Sequence, residues 1–180
     1  MITIRDAVES DLPLVTALYG REVELGTATF ETDPPSLEEI TRRFRAVRGF
    51  DLPWLIATVD GAFAGYAYAT PFRPRPAYRY AVEESVYVEE SARGRGVGRT
   101  LLAAIIDRSH QPGLRHLIAA ISEGATGAAS IGLHSALGFR KVGTYRQVGW
   151  KHGRWLDVTL MQLDLAPDSA PPAGSGWLVN

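Results

Sequence analysis

The chain contains no cysteine in its 180 residues. That excludes disulfides, thiolate metal ligands and a cysteine nucleophile. No apolar run approaches the roughly 18 residues that a membrane-spanning helix needs. The opening Met1-Ile2-Thr3-Ile4-Arg5 lacks the charged start and apolar middle of a signal peptide. Neither sign of charge is in excess. A formal net charge of −1 provides no global field for nucleic acid or for an anionic membrane surface. The expectations are therefore no nucleic acid, no membrane and a cytoplasmic location, and any anion site has to be local. What remains is ordinary for a globular chain: 46% apolar and 22% charged residues, enough for one domain with its own core.

The most informative stretch is Arg93-Gly94-Arg95-Gly96-Val97-Gly98. An extended-looking run, Val82-Glu83-Glu84-Ser85-Val86-Tyr87-Val88, precedes it, and an apolar-periodic segment at 101–106 follows. A glycine-dense loop between a strand and a helix exposes backbone N–H groups at the positive end of the helix dipole. Glycines also let that backbone come close to a ligand. Arg93, Arg95 and Arg99 add positive charge, so a phosphate is the natural guest. A solvent-exposed Arg/Gly connection is the alternative on this stretch alone.

Along the chain, residues 3–5 read as a first strand, and Ser10 or Asp11 as the cap of a helix with Pro13 in its first turn. The segment 26–30 breaks that helix. Ser36-Leu37-Glu38-Glu39 is a capping box that opens a second helix ending at Gly49. Two short helices around a Thr/Pro loop suggest a movable flap. Residues 54–59 and 62–69 flank Asp60-Gly61, a hairpin signal. Pro71, Pro74 and Pro76 then hold Arg73 and Arg75 on a stiff loop. Strands are expected at 82–89 and 114–121, with a helix from about Gly98 to Ser109 between them. A short helix at 128–137 stops at Gly138, and strands at 139–148 and 155–163 surround Lys151-His152-Gly153. Beyond Leu165 the composition shifts to Pro, Ala, Gly and Ser. This gives one domain over 1–165 and a disordered tail over 166–180. The fold class is α/β: a mixed, mostly antiparallel sheet of about seven strands with helices on both faces.

Arg93-Gly94-Arg95-Gly96-Val97-Gly98 resembles the pyrophosphate loop of the GCN5-related N-acetyltransferases (GNAT). The strand before it, the helix after it and Leu133-His134-Ser135-Ala136-Leu137-Gly138-Phe139 agree in order and spacing. Thr29-Phe30-Glu31, the 71–79 segment, Glu83 and Trp155-Leu156-Asp157 are similar to the phosphinothricin/methionine sulfoximine acetyltransferase subgroup. The resemblance implies the GNAT fold, acetyl-CoA as co-substrate, a small amino-acid-like amine as acceptor, no metal, and a homodimer. It implies that Arg93, Gly94, Arg95, Gly96, Val97, Gly98 and Arg99 bind the pyrophosphate. The main chain of Val86, Tyr87 and Val88 would pair with the pantetheine arm as an added strand. The asparagine that the family usually carries before the helix of His134 is missing, and Thr126 is the nearest polar substitute.

An alkylammonium has a pKa near ~10 and no lone pair, so transfer needs a base. On an alternating strand Glu83, Ser85 and Tyr87 share one face, while Glu84, Val86 and Val88 share the other. Only one glutamate can face the acceptor, and the subgroup's catalytic glutamate aligns with Glu83. His134 either relays a proton or is a partly buried histidine satisfied by the backbone. Arg73 and Arg75 suit a carboxylate, phosphinate or sulfonyl-like group. Phe30 is expected as an apolar wall and Ser85 as an acceptor-side contact. Other amine acceptors, and an acyl-CoA sensor without catalysis, stay open at this point.

Overall fold

The computed structural model describes residues 1–110, 113–166 and 176–177. Hydrophobic alternation gives seven strands: β1 (Ile2–Asp6), β2 (Trp54–Val59), β3 (Ala62–Pro71), β4 (Ala81–Val88), β5 (His116–Ser122), β6 (Arg140–Lys151) and β7 (Arg154–Asp164). Four helices stand between them: α1 (Leu12–Leu25), α2 (Leu37–Gly49), α3 (Val97–Arg108) and α4 (Gly127–Ala136). The strands form one sheet in the order β1-β2-β3-β4-β5-β7-β6. Every neighbouring pair is antiparallel except β4 and β5. This is the expected architecture.

Local chemistry explains the joints. Asp60 and Gly61 both have positive φ (51° and 85°), as a tight hairpin with the strand's own twist requires. Ser36 Oγ accepts from Glu39 N at 3.2 Å and caps α2. The Glu39 carboxylate turns instead to Arg42 and Arg43, so the capping box is only half closed. Asp11 does not cap α1 with its side chain. Its carboxylate accepts from the Arg5 guanidinium at 2.7 and 2.6 Å and from Val8 N at 2.9 Å, bonds that tie β1 to the turn before α1.

The core is continuous. On one face of the sheet Trp54 stacks on Tyr68 with ring centroids 4.4 Å apart, and Tyr66 stacks on Tyr87 at 5.1 Å. Tyr19 of α1 and Phe44 of α2 meet these rings edge-on. Val88 and Glu84 turn to the other face, toward Gly98 of α3 and His134 of α4. Of the expected disordered tail, most lies outside the described residues. At Gly176 and Trp177 the structure differs, because the Trp177 indole is buried at 5% exposure. A large apolar ring outweighs the disorder-prone composition around it.

Candidate active site

Sheet pairing opens the site. β4 pairs with β5 only from Ala81↔His116 to Glu83↔Ile118, whereas β3 stays with β4 as far as Gly65↔Val88. β5 meanwhile follows β7 to Ser122↔Val158. From Glu84 onward the edge of β4 that faces β5 has no strand partner, and the two strands splay. The gap is a cleft of about 420 Å³, bordered by Ser85, Val86, Tyr87 and Val88, by the 93–99 loop, and by Thr126 and His134. Gly94 and Gly96 have φ of 73° and 88°, the left-handed turn that brings the chain round into α3. The first amides of α3 have no partner within the helix and border this cleft.

The three loop arginines are not equivalent. Arg93 is committed to structure: it donates to Glu22 Oε1 at 2.6 Å and to Val88 O at 3.3 Å. Its charge is thereby held in place at the border of the cleft. Arg95 lies 3.7 Å from Asp60, a loose pair at the surface. Arg99 borders the cleft and has no ion pair among the described residues.

The two glutamates of β4 separate as strand alternation requires. Glu83 is half-buried on the face of Ser85 and Tyr87. Its carboxyl is pushed above the ordinary range by burial and then by the neighbouring Glu84 charge, against the pull of Arg73. Glu84 is only 5% exposed and His134 3%. His134 Nε2 lies 2.7 Å from Glu84 Oε1, and His134 Nδ1 lies 2.7 Å from Ser130 O. A carbonyl oxygen only accepts, so Nδ1 carries a hydrogen. A proton must then also lie between Nε2 and Glu84. The pair therefore holds one shared proton. Burial pulls the imidazole pKa down, but the Glu84 bond and charge, with Ser130, hold it above its ordinary value. Glu84 Oε2 is buried with no partner among the described residues. Sequence reading assigned Glu84 no function. The available signal was an acid among valines on a buried face, where a carboxylate needs a partner.

On the Glu83 face, burial raises the Tyr68 hydroxyl's pKa to about 12, against the pull of the neighbouring Ser85 hydroxyl. Arg73 lies over the rings of Phe72 (5.0 Å) and Tyr78 (6.0 Å), and its charge acts on Glu83. Arg75 stands at the start of the turn Pro76–Tyr78, exposed, and no contact joins it to the other predicted residues. Phe30 is 39% exposed and lies on β6, where a Cβ at Gly149 would overlap its ring. The 26–30 segment between α1 and α2 accepts hydrogen bonds from distant residues. Lys151 Nζ donates to Thr29 O at 2.8 Å, His152 Nε2 to Gly26 O at 3.0 Å, and Ser122 Oγ to Thr27 O. Tyr19 OH meets Thr29 Oγ1 at 2.9 Å. Burial lowers the Lys151 pKa, although Glu22 and Glu31 resist. Among the described residues, no cluster of three or more His, Asp or Glu side chains is arranged to hold a metal ion.

Comparison with known proteins decides what this splayed sheet belongs to. The family model described as an acetyltransferase (GNAT) domain matches residues 4–160. The chain belongs to the GNAT family. It is 46% identical over 171 residues to the phosphinothricin N-acetyltransferase of Alcaligenes faecalis, covering 94% of this chain and 86% of the relative. It is 44% identical over 173 residues to an L-methionine sulfoximine/L-methionine sulfone acetyltransferase of Pseudomonas aeruginosa, covering 94% and 98%. Among solved structures, it superposes with a TM-score of 0.91 on a phosphinothricin acetyltransferase of Sinorhizobium meliloti in complex with acetyl-CoA. That pair is 43% identical, with 96% and 93% of the two chains covered.

As a GNAT enzyme the protein is an acetyl-CoA-dependent N-acetyltransferase, and its cleft fits that donor. The glycine turn exposes amides to a pyrophosphate, and the unpaired edge of β4 can accept the amides of a pantetheine arm. Thr126 precedes α4 without capping it through its side chain, which leaves its hydroxyl available to the cleft. Acetyl-CoA supplies the activated thioester when bound, and the cleft residues would position it.

Proposed function

We propose that this GNAT enzyme acetylates the primary amine of a small amino-acid-like acceptor, of the phosphinothricin, methionine sulfoximine or methionine sulfone type, by direct transfer in a ternary complex. The observation that carries the reading is the two-sided use of β4. Its open edge borders the donor cleft, while its other face carries the half-buried Glu83 within the field of Arg73. In this reading the amides around Gly94, Gly96, Val97, Gly98 and Arg99 receive the pyrophosphate. Val86, Tyr87 and Val88 pair with the pantetheine arm, and a strand N–H steadies the developing oxyanion. Arg73 and Arg75 bind the acceptor's acidic end, and Phe30 with Ser85 borders it.

The proton account closes. The ammonium gives one proton to Glu83, whose raised pKa makes it a stronger base than a solvated carboxylate. The amine attacks, the C–N bond forms, and the nitrogen releases a second proton as the C–S bond breaks. The departing thiolate takes the proton held between Glu84 and His134, and one of the amine's two protons restores that pair. One proton leaves the site.

The test is Glu83→Gln with acetyl-CoA and an amine of this type. A fall in kcat of about 10² to 10⁴ at neutral pH, with acetyl-CoA binding unchanged, is expected for loss of a general base. Full turnover in the variant removes Glu83 from that role. The reading also takes the enzyme as a cytoplasmic homodimer. Support for the dimer comes from an exposed apolar group on the sheet's edge, Val142, Tyr145, Val148, Trp150 and Trp155.

A further inference from the structure

Trp177 stands far along the chain from the site, yet it bonds to the loop that carries Arg73 and Arg75. That loop, residues 72–80, has little bonding of its own. Pro74 and Pro76 lack an N–H, and the internal donations are Phe72 N to Ala81 O (3.2 Å), Tyr78 N to Arg75 O (2.9 Å), Arg79 N to Pro76 O (3.1 Å) and Arg79 Nη1 to Pro76 O (3.2 Å). Tyr80 O at the loop's end accepts from Arg115 N (2.8 Å) and His116 N (3.3 Å). Trp177 adds three more. Its indole Nε1 is shared between Tyr78 O and Ala81 O, each at 3.2 Å, and its backbone N donates to Arg79 O at 3.0 Å. Its ring meets Phe50 edge-on at 5.4 Å. Gly176 has φ 63°, and a Cβ there would overlap Arg79 O, so the approach depends on glycine. From Tyr78 the connection runs to the site: its ring packs edge-on against Phe72 at 5.7 Å, and Arg73 lies over both rings.

We propose that Gly176 and Trp177 form a clasp that fixes the 72–80 loop, making Trp177 a positioning residue for acceptor binding. This rests on the reading that Arg73 and Arg75 hold the acceptor. The clasp bonds the carbonyls of the loop's returning arm, so Tyr78 keeps its ring beside Phe72 and the Arg73 guanidinium keeps its seat. An arginine displaced by about an ångström loses its bidentate geometry toward an anionic group, while the donor cleft at the open edge of β4 is untouched.

Trp177→Ala and Trp177→Phe test it, the second because it keeps an aromatic ring, though a smaller one, toward Phe50 while removing the Nε1–H. Hydrogen exchange of the loop amides and steady-state kinetics are read together. In Trp177→Ala the amides of Phe72, Tyr78 and Arg79 are expected to exchange about tenfold faster. The KM for the amine rises about tenfold, acetyl-CoA binding stays within about twofold, and Trp177→Phe falls between. Unchanged exchange overturns the clasp. Faster exchange with an unmoved amine KM overturns its role in acceptor binding. Arg73→Ala and Arg75→Ala separate the two readings. If neither moves the amine KM, the assignment of the loop to the acceptor fails, and loop exchange alone decides whether the clasp exists.

Discussion

Replacing Glu84 by Gln changes one buried proton and almost no shape. In the native protein His134 Nδ1 donates to Ser130 O, and a shared proton fills the 2.7 Å gap from Nε2 to Glu84. A glutamine amide donates to a neutral Nε2 and preserves the geometry, but the pair then holds no transferable proton. A hydrogen bond to a charged group contributes about 1.5–3 kcal/mol and a neutral one about 1, so the substitution costs roughly 1–2 kcal/mol. The His134 pKa falls, because the Glu84 charge that raised it is gone and only the Ser130 bond still opposes burial. The sign follows from linkage. A histidine whose folded pKa is raised contributes stability that is complete below its unfolded pKa, near ~6.5, and lost as pH rises through the folded value. The native protein should therefore exceed Glu84→Gln in stability by about 1–2 kcal/mol near pH 6 and by much less near pH 9. Urea denaturation at the two pH values, with NMR titration of the His134 ring, measures both quantities. A stability difference that is flat with pH, or a His134 titration that Glu84→Gln leaves in place, refutes the shared proton.

Two further predictions concern the loop and the edge. Gly96 holds φ 88° at the start of α3. Gly96→Ala is expected to cost about 1 kcal/mol in chemical denaturation and to raise the KM for acetyl-CoA, leaving that of the amine alone. Trp150 and Trp155 are each more than half exposed and meet each other at 5.2 Å across β6 and β7. Trp150→Arg with Trp155→Arg should convert a sedimenting dimer to a monomer; a native protein that sediments as a monomer removes the dimer.

Much of the fold was readable because its signals are local. Asp60-Gly61 states its own turn, Ser36 caps the helix three residues ahead, and the glycine loop announces a strand on one side and a helix on the other. The features that were missed depend on contacts between distant residues. Strand alternation put Glu84 on the face opposite Glu83, but only the packing of α4 brings His134 to it across 50 positions. The 26–30 segment showed only that it breaks the helix, and the lysine that bonds it lies 122 residues away on β6. Trp177 was hidden by its neighbours: a lone tryptophan in a Pro/Gly/Ser stretch gives no period to read. Arg93 was expected beside a phosphate from its position in the motif, and its bond to Glu22 of α1, 71 residues away, has no signal in the loop itself.

The central claim is acetyl transfer to a small amino-acid-like amine, with Glu83 as base and the arginine loop as anchor. Thioester consumption is the direct measurement, with phosphinothricin, methionine sulfoximine and methionine sulfone run beside ordinary amino acids, a polyamine and an aminoglycoside. The account predicts release of free CoA thiol with the first three at a kcat/KM at least about tenfold above any cationic amine, since paired arginines attract anions and repel polycations. Equal or faster turnover of the polyamine or the aminoglycoside would contradict it.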